Sequence, residues 1–150
     1  MEGMDAGRVE AIFISAQRGD RPHQVESATA VAGKGLKGNR YFDTGRAEQE
    51  LTLIETEQLD YARAEHGLEI DAAATGRNIL TSGVDLNSLV GKRFRVGAME
   101  CRGIELCEPC TTMQSRTAPG AIKALTHRAG LNAEILVGAE VRPGDAVTPV

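Results

Sequence analysis

Short apolar runs, many of them rich in β-branched residues, recur along most of the chain and are separated by glycines and polar turns. The first run, Val9 to Ser15, is followed by a polar loop, and a weaker run covers 25–31. Runs of this length and composition between turn residues predict β-strands. The other predicted strands cover 51–54, 77–81, 94–96, 99–106, 133–137, 140–142 and 146–148.

Two segments have the pattern of short helices. The clearer one covers 55–66, with acidic residues in its first turn, basic residues in its last turn and Gly67 directly after it. This arrangement complements the helix dipole and supplies the usual C-terminal stop. A second short helix is predicted over 121–129, whereas 111–115 shows no clear helix start. Many strands with about two helices therefore predict a mainly β fold, a small closed or half-closed β-barrel.

Length, composition and charge narrow the class of protein. A chain of 150 residues predicts one domain covering 1–150. A net charge of −4 and 3% aromatic residues argue against nucleic-acid binding, which usually needs basic surfaces or stacking rings. No apolar run approaches the roughly 18 residues of a membrane span. The acidic N-terminus, Met1 to Asp5, does not resemble an export signal, so we expect a cytoplasmic protein with reduced thiols.

The three cysteines lie in one short stretch, as Cys101, Cys107 and Cys110, and the last two form a CxxC motif. A structural zinc site needs four ligands, and no second CxxC or paired histidine exists, so no structural zinc is expected. A thioredoxin-like redox pair would be followed by a helix, and Glu108 would raise the pKa of both thiols. The third interpretation is a single functional thiolate at Cys110, on a rigid loop after Pro109, with Cys101 as strand packing.

Basic and glycine-rich segments suggest where an anion would bind. The loop from Gly33 to Arg40 does not match a P-loop, and by itself it predicts a solvated turn. Together, however, Arg40 and Arg77 are suited to one anionic ligand, because guanidinium groups match phosphate geometry. The three histidines are interpreted as surface or capping residues and not as catalytic bases: His23, His66 and His127.

The order of several segments resembles that of the MOSC domain, which is found at the C-terminus of molybdenum cofactor sulfurases and as small stand-alone bacterial proteins. The segments are GLKGNRY at 35–41, LTLIE at 51–55, GRNI at 76–79, VGKRFRVG at 90–97 and CEPC at 107–110. The resemblance covers about 9–147, as a single domain. It implies a β-barrel, which agrees with the predicted strands.

The resemblance also implies roles for particular residues. Cys110 occupies the position of a sulfur-carrying or molybdenum-binding cysteine, and Arg77 and Asn78 fall where relatives bind the phosphate of the pterin cofactor. Gly38, Asn39 and Arg40 match a glycine–acidic–arginine motif of the cofactor site, with asparagine in place of the usual aspartate. The implied cofactor is the molybdenum cofactor, molybdopterin; pyridoxal phosphate is a further association at the level of the family.

Three functions remain open from the sequence. The leading one is a molybdenum-cofactor-binding or sulfur-carrier protein, in which the Cys110 thiolate carries persulfide sulfur or binds molybdenum, with a cysteine desulfurase or a molybdoenzyme as partner. Either role needs the thiolate form of Cys110, so a nearby cation, Arg40 or Arg77, should offset the negative charge of Glu108. An alternative is a molybdenum-dependent reductase of N-hydroxylated compounds with a separate electron donor. The third is a barrel without cofactor whose cysteines are structural.

Overall fold

Eleven strands and three short helices make up the computed structural model, which describes residues 7–150. The helices are α1 (Thr56–His66), α2 (Thr111–Arg116) and α3 (Ala121–Leu125). Three single turns of 3₁₀ helix cover Ala47–Gln49, Ala73–Thr75 and Leu86–Leu89. The strands are β1 (Gly7–Ile14), β2 (His23–Val25), β3 (Ala28–Val31), β4 (Gly35–Leu36), β5 (Leu51–Glu55), β6 (Ile79–Ser82), β7 (Arg93–Val96), β8 (Met99–Leu106), β9 (Leu131–Val137), β10 (Ala139–Val141) and β11 (Ala146–Pro149).

Seven of the strands close into a barrel in the order β1-β11-β7-β8-β9-β5-β6, with β6 returning to β1. Neighbouring strands are antiparallel except β5 and β6, which are parallel and joined by α1. Strand β2 pairs with the C-terminal part of β1, at Ile12–Ile14, and β10, β3 and β4 form a small second sheet. The predicted mainly β, barrel-like fold is confirmed.

Two groups of buried side chains stabilise this arrangement. The larger group fills the barrel and includes Ile12, Leu53, Phe94 and Leu131, and it also contains Cys101. Alternation along the strands produces it, as in β7, where the buried Phe94 and Val96 alternate with two exposed arginines. A smaller group packs the helices together and consists of Ala62, Met113, Ala124, Leu125 and Ala129. The helices are therefore held to one another by an apolar cluster that is separate from the barrel core.

The prediction that 111–115 does not begin a helix was wrong, because α2 starts at Thr111. Its N-cap is Cys110, not one of the usual Ser, Thr, Asp or Asn residues, and its first turn has no acidic residue, so the ordinary sequence signals are missing. The second predicted helix is also shorter than expected. It ends at Leu125, and His127 then adopts a positive φ of 62°.

No helix among residues 7–150 is long and apolar enough to cross a membrane. The N-terminal segment from which the absence of an export signal was inferred lies outside the described residues.

Gly130 occupies a position that no other residue fits. Its φ is +116°, and a Cβ there would overlap the carbonyl oxygen of Leu53 on the neighbouring strand. Its own carbonyl accepts a hydrogen bond of 2.8 Å from the N–H of Cys107. The close approach of β9 to β5 therefore also positions the start of the CxxC motif.

Replacing Gly130 with alanine should lower the free energy of unfolding by about 3 kcal/mol or more, since backbone strain and overlap add. Gly67→Ala is the matched control, because Gly67 has a φ of +68° and open space around it. We expect the control to lose about 1 kcal/mol. Urea denaturation measures both, and equal losses would contradict the role of the Leu53 contact.

Candidate functional site

A cavity of about 990 Å³ opens between the loops that follow β1 and β4, the segment before β6, and the loop and helix that follow β8. This volume lies at the upper end of ordinary small-molecule sites. Five of the six residues predicted to form the site line it: Asn39, Arg40, Arg77, Asn78 and Cys110. Gly38 is not among the lining residues; it is exposed and provides the positive φ, +86°, that precedes Asn39.

Cys110 is exposed and caps the N-terminus of α2. Its Sγ accepts a hydrogen bond from the N–H of Met113, at 3.5 Å. Because a helix does follow the CxxC motif, the argument against a redox-active pair that depended on its absence no longer holds.

The other two cysteines differ from Cys110 in burial. Cys107 is partly buried and also lines the cavity. Burial raises the pKa of the Cys107 thiol, while the positive charge of Arg77 opposes this rise. Cys101 is fully buried in the barrel, where burial raises the pKa of its thiol to about 12. The expectation that Cys101 is strand packing agrees with this position.

Arg77 is the main support of the cysteine loop. Its side chain is buried, with 8% exposed. The guanidinium donates four hydrogen bonds to backbone carbonyls, and within residues 7–150 it has no carboxylate partner. The acceptors are Ala129 (2.9 Å from Nε), Thr75 (3.0 Å from Nη1), Cys107 (3.0 Å from Nη2) and Glu108 (3.2 Å from Nη2). Arg77 therefore carries an uncompensated positive charge into the cavity wall and has one Nη1 proton left for a ligand.

The side-chain hydrogen bonds of Asn78 hold neighbouring strands together. Its Oδ1 accepts from the N–H and the hydroxyl of Thr52, at 3.2 and 3.1 Å, and its Nδ2 donates to the carbonyl of Phe13 at 3.2 Å. These bonds connect β6 with β5 and β1. Asn78 is thus first a structural residue, and its predicted part in cofactor binding stays a prediction.

Asn39 has an unused hydrogen-bond donor. Its side chain is 7% exposed, and its Oδ1 accepts from the N–H of Ser15 at 3.2 Å. That bond identifies the other side-chain atom as Nδ2, which makes no hydrogen bond within residues 7–150. Since Asn39 lines the cavity, an aspartate at this position would replace a neutral donor with a negative charge beside the ligand space.

The next residue, Arg40, is held over an aromatic ring. Its guanidinium carbon lies 4.7 Å from the centre of the Tyr41 ring, and Nη2 donates to the Tyr41 hydroxyl at 3.0 Å. Its backbone N–H also donates to the carbonyl of Ser15, at 2.8 Å. The Arg40 charge is therefore oriented by a neutral partner and stays available to an anion.

The cavity is electropositive although the chain is acidic. Four arginines line it, while Glu48 is the one carboxylate among the described lining residues and pairs with Arg46 at 3.0 Å. The four are Arg18, Arg40, Arg77 and Arg116. Sequence reasoning missed Arg18 and Arg116, because neither belongs to a motif and only the fold brings them to this cavity. The balance of charge favours an anionic ligand.

Glu108 was expected to be offset by Arg40 or Arg77, but its main partner is His127. Glu108 Oε1 accepts from the backbone N–H of His127, and Oε2 lies 2.7 Å from Nδ1 of the same residue. Although partial burial acts the other way, these hydrogen bonds, with a smaller contribution from Arg77, hold the pKa of Glu108 below its usual range. All three histidines are exposed, as expected, but the sequence did not reveal this pairing.

Metal ligands are sparse around the cavity. Within the part of the chain that the structure describes, no three His, Cys, Asp or Glu side chains are placed to hold a metal ion together. A metal bound at Cys110 would therefore need most of its ligands from elsewhere, as when it arrives within an organic cofactor.

Comparison with known proteins identifies a family and a shared fold. A family model described as the MOSC domain matches residues 38–148. The crystal structure of the YuaD protein from Bacillus subtilis is similar, with a TM-score of 0.79 and 17% identity over 95% of this chain and 94% of that one. YiiM from Geobacillus stearothermophilus has a TM-score of 0.77 at 15% identity, covering 96% and 75% of the two chains. YiiM from Escherichia coli has 0.70 at 17%, covering 95% and 69%. No curated protein matches the sequence significantly.

The three thiols should react with iodoacetamide in the order of their exposure. Cys110 should be alkylated first, Cys107 more slowly because its pKa is raised, and Cys101 only when the protein unfolds. Peptide mass spectrometry after timed alkylation at several pH values measures this order. Faster labelling of Cys101 than of Cys107 in folded protein would contradict the assignment.

Replacing Arg77 with lysine should lower the free energy of unfolding by about 2 kcal/mol or more, because one ammonium cannot reach carbonyls on three segments. Alkylation of Cys107 should become faster as the loop loosens. Arg116→Lys is the control, since Arg116 is an exposed arginine of the same cavity wall, and we expect less than about 0.5 kcal/mol from it. Similar losses in both variants would show that the Arg77 contacts are unimportant.

Proposed function

The chain belongs to the MOSC domain family, and from this we propose that it binds an anionic molybdenum–pterin cofactor in the cavity and uses the Cys110 thiolate as a sulfur carrier or molybdenum ligand. The family is associated with molybdenum cofactor binding or sulfurase-like function. The proposal is supported above all by one observation. Within residues 7–150, the cavity is lined by an exposed thiol, a buried guanidinium that pairs with no carboxylate and a buried amide with an unused donor.

The residues present fit such a cofactor in charge and in ligand type. A phosphate-bearing ligand needs cations and N–H donors, which Arg40, Arg77 and the Asn39 Nδ2 supply. A thiophilic metal needs a soft ligand, and Cys110 is the exposed thiol of the cavity. The absence of a complete protein-built metal site within residues 7–150 also agrees with a metal that carries its own ligands.

The chain's own residues have separate tasks in this proposal. Arg77 positions the cysteine loop through its carbonyl contacts and adds positive charge, while Asn39 and Arg40 bind the anionic end of the ligand. The bound cofactor would supply a thiophilic metal centre. Cys110 would hold the sulfur that is delivered to it, or bind the metal directly.

Sulfur loading of Cys110 is a thiol–persulfide exchange. The Cys110 thiolate attacks the outer sulfur of a persulfide on a donor such as a cysteine desulfurase. A new bond forms to Cys110 Sγ, the donor's S–S bond breaks, and the donor leaves as a thiolate. No oxidant or reductant is consumed. The Met113 N–H already donates a hydrogen bond to Sγ and so orients the attacking sulfur.

Pyridoxal phosphate finds no support in the site. This cofactor is held through a lysine, and no lysine is among the described residues that line the cavity.

Cys110→Ser should abolish both molybdenum retention and persulfide formation. Protein purified after molybdate-supplemented expression would be analysed for metal content, pterin fluorescence and persulfide after incubation with a cysteine desulfurase and cysteine. Cys101→Ala is the control, because it removes a buried core thiol and leaves the cavity unchanged. Persulfide without metal would favour the carrier role, and metal with reduction of N-hydroxylated compounds would favour the reductase. Wild type with no metal, no persulfide and no released sulfide would contradict the proposal.

Asn39→Asp should lower the retained pterin by about tenfold or more. A new negative charge close to an anion costs several kcal/mol at an effective dielectric constant near 20, and 1.4 kcal/mol corresponds to a factor of ten. The acceptor for the Ser15 N–H is preserved, so the fold should remain intact. Gln49→Glu adds the same charge to the cavity wall but leaves the Asn39 donor in place. We expect this variant to lose less of the retained pterin. Equal losses would argue against a specific role for Asn39.

A further inference from the structure

The cavity contains a second thiol for which the proposed function has no use. Cys107 and Cys110 both line it, three positions apart, and both are free. Their surroundings differ, because Cys110 is exposed and Cys107 is partly buried. Pairs that combine an exposed, attacking thiol with a more protected neighbour are the arrangement found in CxxC chemistry.

Hydrogen bonds hold both ends of the motif in place. The Cys107 N–H donates to Gly130 and its carbonyl accepts from Arg77, while Cys110 caps α2 through its sulfur. The positions of both cysteines are therefore fixed, and the turn between them contains only Glu108 and Pro109. Burial raises the pKa of the Cys107 thiol, and the positive charge of Arg77 beside it opposes this rise.

We propose that Cys107 is the resolving thiol of this site, which attacks the Cys110 persulfide, releases hydrosulfide into the cavity and leaves a Cys107–Cys110 disulfide. The inference depends on the proposed sulfur-carrier role of Cys110. Neither the fold nor the carrier role of Cys110 requires this reaction of Cys107.

The step balances without any added oxidant. The Cys107 thiol loses its proton to solvent, and its Sγ forms a bond to Cys110 Sγ while the bond between Cys110 Sγ and the outer sulfur breaks. The outer sulfur leaves with the electron pair as hydrosulfide. The two cysteines are thereby oxidised to a disulfide as the sulfane sulfur is reduced to sulfide. A dithiol reductant then returns both cysteines to thiols before the next cycle.

The attack needs Cys107 as a thiolate, because the thiolate is the nucleophile. Burial raises the pKa of its thiol, Arg77 acts in the opposite direction, and the charges of Cys110, Glu105 and Glu108 raise it further.

The test uses the full chain loaded with sulfur from two sources, a cysteine desulfurase with cysteine, and inorganic polysulfide. Released sulfide is measured over time, and disulfide formation is followed by mass spectrometry of alkylated, unreduced protein. Wild type should release sulfide and form a Cys107–Cys110 disulfide. Cys107→Ser should keep its persulfide and release sulfide at least tenfold more slowly. Cys101→Ala should behave as wild type, since its thiol is buried in the barrel.

Each result bears on the inference. Sulfide release from Cys107→Ser at the wild-type rate, or loss of the persulfide without a disulfide, would overturn it. Loading by polysulfide but not by the desulfurase would count against the sulfur-carrier proposal, while the Cys107 step would still be measured in the polysulfide-loaded protein. If neither source loads Cys110, both the carrier proposal and this inference are wrong.

Discussion

The site depends on a buried guanidinium whose hydrogen bonds all go to backbone carbonyls. Arg77 connects the turn before β6, the end of the α3 region and the cysteine loop, which are far apart in sequence. Because arginine stays protonated, these contacts also fix a permanent positive charge in the cavity wall. One side chain therefore shapes the loop that carries Cys107 and Cys110 and biases the cavity toward anions.

Two asparagines show how similar side chains serve different purposes. All the hydrogen bonds of Asn78 go to β5 and β1, so it strengthens the barrel next to the site. Among the described residues, Asn39 makes a side-chain hydrogen bond only through its oxygen, and its nitrogen has no partner there. A resemblance in sequence marks both residues as cofactor-binding. Their hydrogen-bond partners indicate that Asn39, together with Arg40, is better suited to contact a ligand.

Burial separates the chemistry of the three cysteines. Cys101 lies inside the barrel and behaves as a small apolar residue, whereas Cys107 and Cys110 share the cavity with different exposure. The carboxylate between them is hydrogen-bonded to His127, and neither residue belongs to the described cavity lining. The cavity thus combines thiols with net positive charge in an acidic chain.

Local sequence patterns were sufficient for the barrel class, most strands, α1 and the packing role of Cys101. These features depend on alternating burial, helix-end charges and turn residues, which neighbouring positions encode. Helix α2 was missed because a cysteine caps it. The grouping of Arg18, Arg77 and Arg116, the four carbonyl contacts of Arg77 and the Glu108–His127 pair were decided by tertiary structure alone. These contacts join segments that become neighbours only when the barrel closes and the helices pack, and short-range sequence patterns do not encode them.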